Sequence, residues 1–190
     1  MLIPVSPRIT LRQFHSSLAE DFHRAIHRVD DATDPFRCRL QEKYPTLEAV
    51  EARVRDAVEN KYSVDGTPDF FIYVDGQVAG IFEFHPIRSP AYVEVGFWLF
   101  ADYRRQGILS AVFPAMLDYA RAYQPYPALY ATTLEKNVAA QRLLEKFQFE
   151  KTGRILEFPE EGEEPGAVQR EVEYLRLWPD EGGEGGDAGA

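Results

Sequence analysis

Residues 68–87, PDFFIYVDGQVAGIFEFHPI, carry two apolar runs on either side of Asp75-Gly76. An Asp-Gly pair between two such runs is the strongest short-range hairpin signal. A third run, AYVEVGFWLF, follows close behind. Three strands in such quick succession put a sheet at the centre of the domain, and a sheet needs cover on its faces. The flanking segments must supply it.

They do so by a change of period. RITLRQF (8–14) alternates as a strand. Ser16 or Ser17 can cap a helix over about 18–29, with Phe22, Ile26 and Val29 on one stripe. DDATDPFRCRLQEKYP reads as an irregular connection. Thr46 then opens a helix carrying Leu47, Val50, Val54 and Val58. Beyond the three strands come a helix (108–123), a strand (ALYATTL, 128–134) and a helix (138–147), then two strands, FEKTGRILEF and VQREVEYLRLW. Pro114 falls inside the 108–123 helix, where it removes one backbone bond and costs about 3 kcal/mol unless the helix bends. A kink is predicted there. The order β-α-α-β-β-β-α-β-α-β-β is a mixed α/β domain around one sheet.

Charge narrows the function classes. The net charge is −10, but residues 157–190 hold 11 of the 31 acidic residues and only 2 of the 21 basic ones. The acidity belongs to the C-terminal end, and the remainder is nearly balanced. No basic footprint for nucleic acid exists, and no apolar run is long enough to span a membrane. The expected domain is 1–178, with 179–190 a disordered, acidic, Gly-rich tail. Cys38 is alone, so no disulfide framework or cysteine zinc site is expected. His23 and His27 are spaced i, i+4 on a helix, but no third ligand accompanies them, so no resident metal is expected. MLIPVSPRITLRQF lacks the features of a signal peptide, and the expected address is cytoplasmic.

The informative junction is DYRRQGILSA, residues 102–111. A strand ends at Leu99-Phe100 and an amphipathic helix starts at Ile108, so Arg104 to Gly107 lie at a helix N-terminus. Backbone N–H groups there have no intrahelical acceptor, and the helix dipole makes them electropositive. An anionic phosphate satisfies both conditions. Gly107 lets a ligand approach the backbone, and Arg104 and Arg105 add charge. The same residues also read as a polar turn with two solvated arginines. Neither the P-loop nor the dinucleotide fingerprint is present.

RRQGIL resembles the Q/R-x-x-G-x-G/A acetyl-CoA loop of the GNAT superfamily of N-acetyltransferases. The flanking EVGFWLFADYRRQGILSAVFPAMLDYA and EKNVAAQRLLEKFQFEKTGRI are similar to the branch that contains the Rim-type ribosomal-protein N-terminal acetyltransferases. The resemblance implies a single domain of that fold. It also implies acetyl-CoA as co-substrate, its diphosphate held by Arg104, Arg105, Gln106, Gly107, Ile108, Leu109 and Ser110. Asn137, otherwise a helix N-cap, is implied on the pantetheine arm, with Lys146 and Phe147 near the cofactor. The thioester is implied to lie against the backbone of Phe97, Trp98 and Leu99, where Gly96 permits a bulge. Relatives often pair through their C-terminal strands, so a homodimer is a further expectation. The chain departs from the pattern at Leu109, at Ala140 (where many relatives have serine) and at Leu144, where many have a tyrosine that protonates the leaving thiolate.

Acetyl transfer needs a base for the amine's proton and donors for the developing oxyanion. Along AYVEVGFWLF, Tyr92, Glu94, Gly96 and Trp98 share one face. Glu94, a carboxylate among aromatics, is the main candidate base, with a structural ion pair as its other reading. His85 is the reserve. Asp30, Asp31, Asp34 and Phe36, in the connection that covers the acceptor site in the family, are candidate acceptor contacts, although a solvated acidic loop is the safer reading of the aspartates and simple packing that of Phe36. The function expected is N-acetylation of a primary amine on a small molecule, peptide or protein N-terminus. The alternative is a catalytically silent module that binds CoA as a sensor or partner.

Overall fold

The computed structural model describes residues 1–28, 35–62, 68–86, 91–123, 126–159 and 168–178. They form a mixed α/β domain containing two compact bodies, one from residues 1–89 and 93–125, the other from 90–92 and 126–190.

In the first body five strands, β1 (Leu2–Pro4), β2 (Ile9–Gln13), β3 (Phe70–Val74), β4 (Gln77–Pro86) and β5 (Tyr92–Leu99, in this body from Val93 on), pair in sequence order, each antiparallel to the next. The hairpin turns at Asp75-Gly76, and Arg8 on β2's side donates to both carboxylate oxygens of Asp75. All five residues of β3 are buried, which explains its unbroken apolar run: helices cover both of its faces. On one face Phe71 stacks 3.9 Å from Phe14 and meets Phe22 of α1 (Ala19–Ile26). Val50 and Val54 of α3 (Leu47–Asp56) join the same cluster. On the other face Phe70, Phe82, Phe84 and Phe97 pack on Phe113 and Tyr119 of α4 (Ile108–Tyr123). Burial raises the pKa of Tyr119. Helix α4 continues through Pro114, which is exposed.

Thr46 caps α3 as expected, its hydroxyl accepting from the Ala49 N–H. Three expectations change. His15, not Ser16 or Ser17, caps the turn Ser16–Leu18 that leads into α1, because its Nδ1 accepts the Ser17 N–H at 3.2 Å. The supposed irregular connection contains a helix, α2 (Pro35–Lys43). Strand β1, too short to leave a periodic trace, adds an edge.

In the second body β6 (Ala128–Leu134) and β7 (Glu150–Pro159) flank β8 (Val168–Leu177), both antiparallel to it. Helix α5 (Val138–Lys146) is capped by Asn137, whose side-chain oxygen accepts the Ala140 N–H. The β7–β8 register shifts between Lys151 and Ile155. That bulge turns Thr152 and Arg154 toward one acceptor, Glu173, which is 5% exposed. Thr152 donates at 2.7 Å, Tyr130 at 3.1 Å, and Arg154 lies 3.3 Å away. Glu173→Gln keeps the shape but removes one acceptor oxygen and the charge. We expect it to lower stability by about 1–2 kcal/mol, read by denaturant unfolding. An unchanged midpoint would show that the carboxylate does not hold the bulge.

Candidate active site

The face of the first body's sheet follows from which side chains meet α4. Phe82, Phe84 and Phe97 do, so by alternation Glu83, His85, Glu94, Gly96 and Trp98 turn to the side of α1 and α3. Arg53 of α3 reaches over that side, 3.6 Å from Glu83 and 3.8 Å from the fully buried Asp69. His85 Nε2 stands 3.4 Å from Glu83. Glu94 is half-buried and lies directly across from His85 in the β4–β5 ladder. The two candidate proton acceptors are therefore neighbours.

The bulge expected at Gly96 is not there. The β4–β5 register runs unbroken from Gly80–Leu99 to Pro86–Val93. Gly96 instead makes room for the imidazole, since a Cβ on it would lie 3.2 Å from His85 Nε2. The expectation for Trp98 is also corrected. The Phe100 N–H bonds the Ala79 carbonyl in β4. Alternation then directs the Trp98 amide to β4 as well, and those of Phe97 and Leu99 away from it.

At the end of β5 the chain turns through Ala101–Tyr103 into Arg104–Gly107, and all four of these last residues are exposed. Arg105 and Gly107 have φ of 60° and 74°. The Gly107 carbonyl accepts the first helical bond, from the Ala111 N–H at 3.0 Å, so Gly107 is the N-cap of α4. Nothing lies within 4 Å of where its Cβ would be. Two side chains brace the loop from within: Arg104 Nε donates to the Leu99 carbonyl (3.0 Å), and Gln106 donates to the Asp102 carbonyl (2.7 Å). Ile108 is 4% exposed and belongs to the core, so only its backbone can serve a ligand. Leu109 and Ser110 are half-buried. Main-chain N–H groups at an open helix start of this kind can receive an anion.

In the second body, Lys146 Nζ lies 5.4 Å from the Phe147 ring, and the Phe147 carbonyl accepts from Arg176. Leu144 is fully buried, and Ala140 is half-buried. Asp30, Asp31 and Asp34 lie outside the described residues, as does the side chain of Phe36; its backbone belongs to α2. The His23 and His27 rings are 4.4 Å apart, and His27 Nε2 lies 3.0 Å from the Tyr44 carbonyl. Burial and the neighbouring His27 lower the pKa of His23. Among the described residues no group of three metal-ligating side chains forms, and no helix is long and apolar enough to cross a membrane. Arg53, Asp69, Asp102 and Arg37 escaped the reading of the sequence, because each acts through a partner remote in the chain.

The family model described as "Acetyltransferase (GNAT) domain" matches residues 8–150. No curated protein matches the chain. Among solved structures, a Salmonella typhimurium acetyltransferase that modifies the N-terminal serine of ribosomal protein L7/L12 is similar, with TM-score 0.71 and 18% identity over 94% of this chain and all of that one. A RimL L7/L12 α-N-acetyltransferase in complex with coenzyme A has TM-score 0.72 and 17% identity over 93% and 98%. The microcin C7 self-immunity acetyltransferase MccE, in complex with acetyl-CoA and AMP, has TM-score 0.71 and 14% identity over 92% and 94%.

Proposed function

This chain belongs to the GNAT acetyltransferase family, whose members are acetyl-CoA-dependent enzymes, and from that premise we propose that it transfers acetyl from acetyl-CoA to a primary amine, foremost a protein or peptide N-terminus. Amino acids and small amines are the other acceptors within the proposal. The observation that carries it is the Arg104–Gly107 turn, which caps α4 with an open glycine where a diphosphate can meet backbone N–H groups. The similar structures that act on a ribosomal-protein N-terminus support the acceptor class.

In this reading the backbone of Arg104 to Ser110 holds the diphosphate. The outward amides of Phe97 and Leu99 face the thioester oxygen. Asn137, Lys146 and Phe147 contribute to cofactor binding. The amine nitrogen attacks the thioester carbon, the C–N bond forms, the C–S bond breaks, and Glu94 takes the amine's extra proton, directly or through one water. His85 is the reserve acceptor. The thiolate leaves and is protonated by solvent, since Leu144 carries no acid. An α-amine, with a pKa of about 8, is already partly neutral near pH 7, so a mild base suffices. A cytoplasmic location belongs to the same proposal. So does a homodimer through β7 and β8, supported by the exposed Ile155, Phe158, Val168 and Leu177.

The test is thiol release from acetyl-CoA with a panel of amines that includes a seryl-terminated peptide. Turnover with at least one amine is expected. Glu94→Gln should cut kcat by about 100-fold at neutral pH, the low end for a positioned base, and regain rate as pH approaches the amine's own pKa. Full turnover at every pH would remove Glu94 from the role. A second reading, binding without turnover, is favoured by the buried Leu144 and by the missing hydroxyl at Ala140. It would be supported if CoA bound and no amine released thiol.

A further inference from the structure

Helix α2 was invisible as a pattern, yet it places one of the most deeply buried charges among the described residues. Arg37 is 1% exposed. A guanidinium withdrawn from water costs several kcal/mol unless its environment compensates. Here Nη2 donates to Asp102 Oδ1 at 3.1 Å, and the guanidinium carbon lies 4.5 Å from the centre of the Phe100 ring. Asp102 is a joint. Its other carboxylate oxygen is 3.4 Å from Arg28, which also bonds Gln77 and the Tyr103 hydroxyl. Its main-chain carbonyl receives the Gln106 side chain at 2.7 Å. The middle residue of the Ala101–Tyr103 turn is thus clamped by two arginines through its side chain, and it clamps the loop through its backbone.

From this arrangement we infer that Arg37 is a positioning residue for the anion loop: through Asp102 it fixes where the N–H groups of residues 104–107 point, and it neutralises a carboxylate that would otherwise repel a bound diphosphate. The inference rests on the proposed binding of coenzyme A at that loop. Two effects act together. Rigid placement keeps the cradle assembled before the ligand arrives, which lowers the cost of binding. Charge balance matters because Asp102 stands only two residues before Arg104. Arg28 and Arg37 both face this one carboxylate, so its negative charge is offset at the base of the loop.

The experiment is calorimetric titration of the full chain with two probes, coenzyme A and phosphate-free pantetheine. Arg37→Met keeps an apolar stem in the buried space and removes the planar cation. The expected result is a loss of coenzyme A affinity of about tenfold or more, with pantetheine affinity unchanged. Arg37→Lys should fall between, because it keeps the charge but not the fork. Adding Asp102→Asn to Arg37→Met should restore part of the loss, since the uncompensated carboxylate is gone. If Arg37→Met fails to fold by circular dichroism, the Lys variant carries the test with the same sign. Equal losses for both probes would mark a merely structural role and overturn the inference, as would unchanged affinity in a folded variant. A parent chain that ignores coenzyme A would sink the proposed function and this inference together. A parent that binds it as tightly as the variants do would sink only the anchor.

Discussion

Gly107→Glu is expected to weaken coenzyme A binding by at least about 100-fold, roughly 2.7 kcal/mol, while the folded chain loses less stability. The reasons separate cleanly. Gly107 has φ of 74°, so any side chain there brings backbone strain of about 1–2 kcal/mol. The Cβ itself meets no neighbouring residue, since nothing beyond the adjoining chain lies within 4 Å of its position. In the proposed reading, a side chain here competes with the diphosphate for the open start of α4. A carboxylate in that space also satisfies the electropositive helix start itself and repels a diphosphate. Gly107→Ala should therefore show the strain with a smaller binding loss. Calorimetry with coenzyme A, alongside thermal unfolding, reads both quantities. Parental affinity in Gly107→Glu would mean the diphosphate does not sit at this loop.

Gly80→Val has the opposite signature: stability and binding fall together. A Cβ at Gly80 would stand 2.1 Å from the Trp98 carbonyl oxygen and 2.8 Å from the Leu99 side chain. Backbone cannot yield as a flexible side chain can, so β4 and β5 must separate where β5 hands over to the anion loop. Overpacking in a well-packed core typically costs 1–3 kcal/mol, and a contact this short belongs at or beyond about 3 kcal/mol. The displaced segment includes the Leu99 carbonyl that Arg104 braces. Coenzyme A affinity should therefore drop even in the fraction that folds. Gly80→Ala is the milder companion for an assay in which the valine variant is insoluble. Normal unfolding with a valine at position 80 would mean that the two strands can part freely at this point.

These two glycines also mark how much could be read in advance. Gly107 was legible because its role is local: a strand end, a glycine and an amphipathic stripe lie within a dozen residues, and helix-end electrostatics needs nothing more. The Asp75-Gly76 hairpin, β5 and the Thr46 cap were legible for the same reason. Gly80 was not, since its constraint comes from Trp98 across the sheet. The same holds for Gly96, where a bulge was the natural expectation and the imidazole of His85 fills the space instead. Helix α2 escaped because PFRCRLQEK has no apolar stripe, and the one deeply buried side chain among its described residues is an arginine.

What the sequence determined by itself was therefore the α/β class, the order of the elements other than β1 and α2, and the glycine-opened start of α4. Each of these depends on periodicity, capping and turn chemistry within a few residues. Only the tertiary structure decided which charges meet: Arg37 with Asp102, Arg53 with Glu83 and Asp69, and Tyr130, Thr152 and Arg154 on Glu173. The physical reason is that a charge buried among remote segments is specified by the partner it finds on folding, and no local pattern in the chain encodes that partner.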